Sequence, residues 1–145
     1  MTITFILFLF LMGCSNEAPP TREVISTNDA AGAVGAYSQA IKFGNTIYVS
    51  GQIGLIPGTK ELVGDDVESQ IHQAMKNISS ILEAGGYSLN DIVSANVFLS
   101  DLDNYATLNE IYIQYFDVPP PARAVVEVSR IPLDAKVEIK VIAAK

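Results

Sequence analysis

The apolar residues of this chain change their period along its length. Val67, Ile71, Ala74, Met75, Ile78, Ile81 and Leu82 recur at helical spacing and form one stripe of an amphipathic helix. Asp65 with Glu68 predicts its capped start, and Gly85-Gly86 predicts its end. A second stripe, Tyr105, Leu108, Ile111, Tyr112, Tyr115 and Phe116, predicts a helix that opens at Asp103. Pro119-Pro120-Pro121 stops it, because proline neither donates a backbone hydrogen bond nor fits a helix interior. Other segments alternate with period two. Residues 24–26 read as a short strand, and residues 45–50 set Ile47 and Val49 against Thr46, Tyr48 and Ser50. Residues 92–99 place Val93, Ala95, Val97 and Leu99 on one side. Pro57-Gly58-Thr59 marks a turn, with one extra strand expected near Leu62.

Two strands close the chain. One carries Ala124, Val126 and Val128 on its apolar side, the other Val137, Ile139 and Val141. Alternation then turns Arg123, Glu127, Glu138 and Lys140 the other way. Residues 129–135, with Pro132 and Asp134, are short enough to join the two strands as an antiparallel hairpin. On this reading Arg123 and Glu138 share one face of neighbouring strands. An arginine fork receives a carboxylate at two points, and a nearby glutamate is a candidate base. The alternative for Arg123 is a structural ion pair with Glu127 or Glu138. The order of elements predicts an α+β fold, a mixed sheet with two helices on one face. The other face, with Tyr48, Phe98, Val125, Arg123 and Glu138 on it, calls for cover by oligomerisation.

The net charge of −7 disfavours a nucleic-acid partner, whose phosphates call for a basic surface. Residues 3–12 are nearly all Phe, Leu and Ile, about half the roughly 20 residues that a membrane-spanning helix needs. They suit the core of a secretory signal. The only cysteine, Cys14, follows directly, and this order resembles a lipoprotein cleavage site, though no Lys or Arg precedes Cys14. The expected organisation is a signal peptide over 1–13, a tether over 14–22 and one domain over 23–145. Cys14 would then be lipidated and hold the protein on the periplasmic side of a bacterial envelope membrane. A start at Met12 would instead leave the protein in the cytosol. With its single cysteine at position 14, the domain has no disulfide and no cysteine metal site. His72, beside the first stripe, is expected to be solvated rather than a metal ligand.

Four segments carry a resemblance. They are Gly35-Ala36-Tyr37-Ser38-Gln39-Ala40, Ser50-Gly51-Gln52-Ile53, Asp101-Leu102-Asp103-Asn104-Tyr105-Ala106-Thr107-Leu108-Asn109, and the run from Pro121 to Ile139. Together they resemble the RidA (YjgF/YER057c/UK114) family of enamine/imine deaminases. The resemblance implies a chorismate-mutase-like homotrimer with sheets inside, helices outside and sites in the subunit clefts. It implies hydrolysis of small 2-imino or enamino acids, such as 2-iminopropanoate and 2-iminobutanoate, to 2-oxo acids and ammonia, without cofactor or metal. Arg123 would grip the substrate carboxylate, and Glu138 would position and deprotonate the attacking water. Tyr37, Ser50 and Gly51 would bind substrate, with Asn109 reaching in from the adjacent subunit. The chain departs from the family in three places: Ala36 replaces a proline, Val125 replaces a cysteine, and residues 117–121 are short and rigid. A second reading keeps the trimeric scaffold as a carboxylate-binding or holdase module without turnover.

Overall fold

Period-two alternation resolves into six strands in the computed structural model, which describes residues 19–145. The elements are β1 (Arg22–Ile25), β2 (Ala40–Phe43), β3 (Thr46–Gln52), α1 (Val67–Ala84), β4 (Ile92–Leu99), α2 (Tyr105–Tyr112), β5 (Ala122–Glu127) and β6 (Val137–Ala144). The sheet runs β1-β2-β3-β6-β4-β5, and only β4 and β5 are parallel. Ile47, Val49, Ala95, Val97, Leu99, Val137, Ile139 and Val141 share one core with Ile71, Met75, Ile78 and Leu82 of α1 and Leu108 and Ile111 of α2. Each fully buried Ile or Leu contributes about 1.5–3 kcal/mol over exposure, which fixes both helices to this face.

Helix α1 opens one residue later than the sequence pattern predicts. Asp66 is the N-cap, and its carboxylate accepts from Ser69 N at 2.7 Å. The helix closes on Gly85, and Gly86 takes the left-handed conformation at φ +82 that glycine tolerates. Two buried amides beside the apolar stripe tie α1 to what lies around it. Gln70 Nε2 donates to Gly64 O at 2.7 Å, while its Oε1 accepts from Lys136 N at 2.7 Å. Asn77 Nδ2 donates to Ile53 O and Leu55 O.

Strand β2 is absent from the pattern-based reading. It alternates Ala40 and Lys42 against Ile41 and Phe43, and a two-residue Gly44-Asn45 turn returns it into β3. The strand expected near Leu62 is a single bridge to Leu55. In β4 a register shift between Ile92 and Ser94 turns Ile92 inward and leaves Val93 exposed, contrary to simple alternation.

The largest correction concerns β5 and β6, which are not neighbours. Helix α2 returns the chain in its original direction, so β5 lies parallel to β4 at the sheet edge, and β6 inserts between β3 and β4. Residues 129–135 bury Ile131 and Ala135 in a second small core with Ala31, Ile53 and Leu55 instead of forming a hairpin. The faces change as well. Arg123 pairs with Ala95 and Val125 with Val97, so both stand on the helix side. Ala124 and Val126 point to the open side. Alternation misled here because an edge strand bears apolar residues on both faces. The open face carries Tyr48, Phe98, Val126 and Ile142, with Glu138 and Lys140 among them. Tyr48 and Val126 are each 46% exposed.

Candidate functional site

A bulge in β3 creates the first half of the site. Val49 pairs with Val141 and Gln52 with Ile139, so Ser50 and Gly51 stand together against Lys140 alone. Gly51 leaves room for the Glu138 side chain, since a Cβ there would lie 2.7 Å from Glu138 Cδ. Ser50 Oγ donates to Ser38 O at 2.8 Å, and Ser50 N donates to Gln39 O at 2.9 Å. The buried Gln39 amide donates to Thr27 O and Ala31 O and accepts from Thr27 N at 2.7 Å, which pins the loop over residues 27–39. Within that loop the Tyr37 hydroxyl accepts from Val34 N at 3.2 Å, and the ring stays exposed. Tyr37, Ser50, Gly51, Gln52, Glu138 and Lys140 line a cleft of about 360 Å³. Burial raises the Glu138 carboxyl above the usual glutamate range, with no charge or hydrogen bond opposing it.

The second half lies on the helix side of the sheet edge. Arg123 Nη2 donates to Asn109 Oδ1. Its guanidinium lies over the Tyr112 ring at 4.7 Å and beside the Tyr105 ring at 6.0 Å. Val125, Pro120 and Pro121 complete an open cleft of about 430 Å³. Among the described residues the ion pairs are Arg130–Asp134 and Lys145–Asp91, so Arg123 has no carboxylate partner. The Glu127 carboxylate accepts from Leu102 N instead.

The structure therefore sorts the candidate residues into two groups. Tyr37, Ser50, Gly51 and Glu138 converge in one cleft, and Asn109 and Arg123 meet in the other. The shared face expected for Arg123 and Glu138 does not exist within one chain, because the two residues sit on opposite faces with β4 between their strands. Cys14 lies outside the described residues. Sequence reasoning assigned no role to Gln39, Gln52, Lys140 or the pair Tyr105 and Tyr112. Gln39 fell within a quoted motif, and the two tyrosines were absorbed into an apolar stripe. His72 is half-buried rather than solvated, with Nδ1 2.6 Å from the Tyr115 hydroxyl. Among the described residues no cluster of three or more His, Cys, Asp or Glu could hold a metal.

A family model described as Endoribonuclease L-PSP matches residues 27–145. The chain belongs to this family, that of the RidA proteins. A RutC family protein of Pyrococcus horikoshii is 48% identical over 86% of this chain and 98% of its own length. The mouse 2-iminobutanoate/2-iminopropanoate deaminase is 45% identical over 84% of this chain and 90% of its own length. The chloroplastic Reactive Intermediate Deaminase A of Arabidopsis thaliana is 46% identical over 84% of this chain and 65% of its own length. Among solved structures, RidA from Psychrobacter superposes with a TM-score of 0.82 at 46% identity, covering 85% of this chain and 99% of that one. Escherichia coli TdcF with bound serine superposes with a TM-score of 0.81 at 40% identity, covering 85% and 98%. The α+β fold with its mixed sheet and two helices is thus that of RidA structures.

The same comparisons correct the envelope assignment. One of the RidA relatives is chloroplastic by name, and the family match covers residues 27–145, so the similarity to RidA proteins runs against the expected signal peptide and lipidated Cys14. The comparisons thus contradict the signal-peptide and lipoprotein expectations for residues 1–13 and Cys14. Their physical weakness was the lack of any basic residue before Cys14. Among the described residues no helix is long and apolar enough to cross a membrane.

Proposed function

We propose that this RidA-family chain hydrolyses small 2-imino and enamino acids to 2-oxo acids and ammonia, in a cleft shared between copies of a cyclic homotrimer. One observation carries the reading: the two halves of the site lie on opposite faces of the sheet, each lacking what the other holds. The Glu138 cleft offers a base and a loop pinned by Gln39 that carries Tyr37. The Arg123 cleft offers a carboxylate receptor whose charge no acidic residue neutralises. Docking the Arg123 edge of one copy against the Glu138 cleft of the next completes the set and covers the apolar open face. The names of the mouse and Arabidopsis relatives, and the serine bound to TdcF, support a small amino-acid-like substrate.

The chemistry follows from this arrangement. Arg123 receives the substrate carboxylate in a bidentate contact. Glu138 accepts a proton from water as the oxygen bonds to the imine carbon, and the C=N π-electrons move to nitrogen, giving a carbinolamine. Glu138 returns that proton to nitrogen, then carries the carbinolamine's hydroxyl proton to the same nitrogen as the oxygen electron pair forms C=O and the C–N bond breaks, so ammonia leaves with the 2-oxo acid behind. The raised carboxyl of Glu138 makes it the stronger base for this step. Orientation supplies much of the acceleration, because free imines hydrolyse unaided in water. A nucleic-acid substrate fits poorly, given the net charge of −7.

The test generates 2-iminopropanoate and 2-iminobutanoate in place with an amino-acid oxidase and catalase, and traps the residue with semicarbazide. Wild-type protein is expected to divert imine to 2-oxo acid. Arg123→Ala is expected to lose about 100-fold or more of that rate. Wild-type protein that never competes with semicarbazide, across several side chains, would leave the site as a binding site without turnover.

A further inference from the structure

The neighbours of Arg123 are all neutral. Asn109 accepts from one Nη, the Tyr112 ring lies 4.7 Å from the guanidinium, and Tyr105 flanks it at 6.0 Å. Tyr112 is 2% exposed, and its hydroxyl is buried without a hydrogen-bond partner. A buried, unpaired hydroxyl is a cost, so hydrogen bonding within the chain does not account for this side chain. Its ring does. An acidic residue in that place would hold the guanidinium more strongly, yet it would cancel the charge and compete with an incoming acid. An aromatic face attracts the cation through its quadrupole and leaves the N–H edges of the fork free. Helix α2 supplies both the ring and Asn109, three residues apart and on one face.

We propose that Tyr112 is a positioning residue: its ring face sets the plane of the Arg123 guanidinium, so that the free edge of the fork meets the substrate carboxylate. The proposal rests on the reading of Arg123 as the carboxylate receptor. Burial supports the role, since it pushes the phenol up to about 12 and keeps it neutral beside the cation. A tyrosinate there would act as the competing anion that the site avoids.

The experiment measures binding of 2-oxobutanoate to the full chain by calorimetry, alongside thermal unfolding. The variants are Arg123→Ala, Tyr112→Phe and Tyr112→Leu. Arg123→Ala is expected to abolish binding. Tyr112→Leu is expected to weaken it roughly fivefold to thirtyfold, and Tyr112→Phe, which keeps the ring, is expected to rescue it to within about threefold. Binding unchanged in Tyr112→Leu overturns the proposal, and so does loss in Tyr112→Phe as large as in Tyr112→Leu. Binding unchanged in Arg123→Ala overturns the underlying receptor reading instead. Should Tyr112→Leu not fold, wild-type protein decides by NMR. The Arg123 guanidinium protons are expected upfield of those of exposed Arg130, displaced by the Tyr112 ring current. Coincident shifts would overturn the proposal without any variant.

Discussion

The Glu138 carboxyl group occupies the space that glycine leaves at position 51. A Cβ at position 51 would overlap the Glu138 carboxyl group, which is the movable end of a half-buried side chain. Gly51→Ala is therefore expected to displace the carboxylate rather than unfold the chain. The expected result is a melting temperature within a few degrees of wild type and activity reduced about 100-fold, read by calorimetry and the imine assay. Burial raises the Glu138 carboxyl, so its basic form is lost at a higher pH than for an ordinary glutamate. Activity is expected to fall on the acid side in that higher window. The sign for stability is opposite. Between the unfolded and the raised folded values the native state holds the extra proton, so stability declines as pH rises through that window. Glu138→Gln removes this dependence. It is expected to leave the protein at least as stable at neutral pH as wild type while abolishing turnover, checked by urea melts across pH 4–8. At this scale the sequence named Arg123, Glu138, Ser50, Gly51, Tyr37 and Asn109 as a set, because charge and motif are written in residue types. It did not reveal Tyr112 under Arg123, since an aromatic in a helical stripe looks the same whether it fills a core or supports a cation.

Helix α1 does more than fill the core. Gln70 accepts from Lys136 N, two residues before Glu138, and so fixes the entry of β6. Asn77 holds the loop that follows the Ser50-Gly51 bulge through Ile53 O and Leu55 O. Gln70→Leu keeps the apolar volume but leaves the backbone N–H of Lys136 and the carbonyl of Gly64 unpaired. It is expected to cost about 1–3 kcal/mol, measured by urea unfolding, and to lower activity through Glu138. Both helices were legible because stripes of seven and six apolar residues have one periodic reading, although α2 spans Tyr105–Tyr112 rather than opening at Asp103. Strand faces were less so. Arg123 and Val125 alternate with Ala124 and Val126, and nothing in the composition of an edge strand says which pair faces the helices. The parallel partnership with β4 decides it, and that partnership depends on how α2 returns the chain. The bulges at Ser50-Gly51 and Val93 likewise shift a face by one residue, which period-two reasoning has no means to register.

At the scale of the whole molecule, one chain holds two incomplete sites and one uncovered sheet face. The sequence predicted that this face would need cover. It did not predict that Arg123 lies on the other side of the sheet, and under the proposed function that difference makes assembly a condition for chemistry as well as a matter of solubility. The most direct measurement is complementation between two inactive chains. Arg123→Ala and Glu138→Gln are co-expressed in equal amounts, purified together and assayed for imine hydrolysis. In a cyclic trimer whose clefts pair Arg123 of one copy with Glu138 of the next, every mixed ring regains one intact cleft. Random mixing then restores about a quarter of wild-type activity. Activity no higher than that of either variant alone would contradict the account, because it would mean that Arg123 and Glu138 act within the same chain.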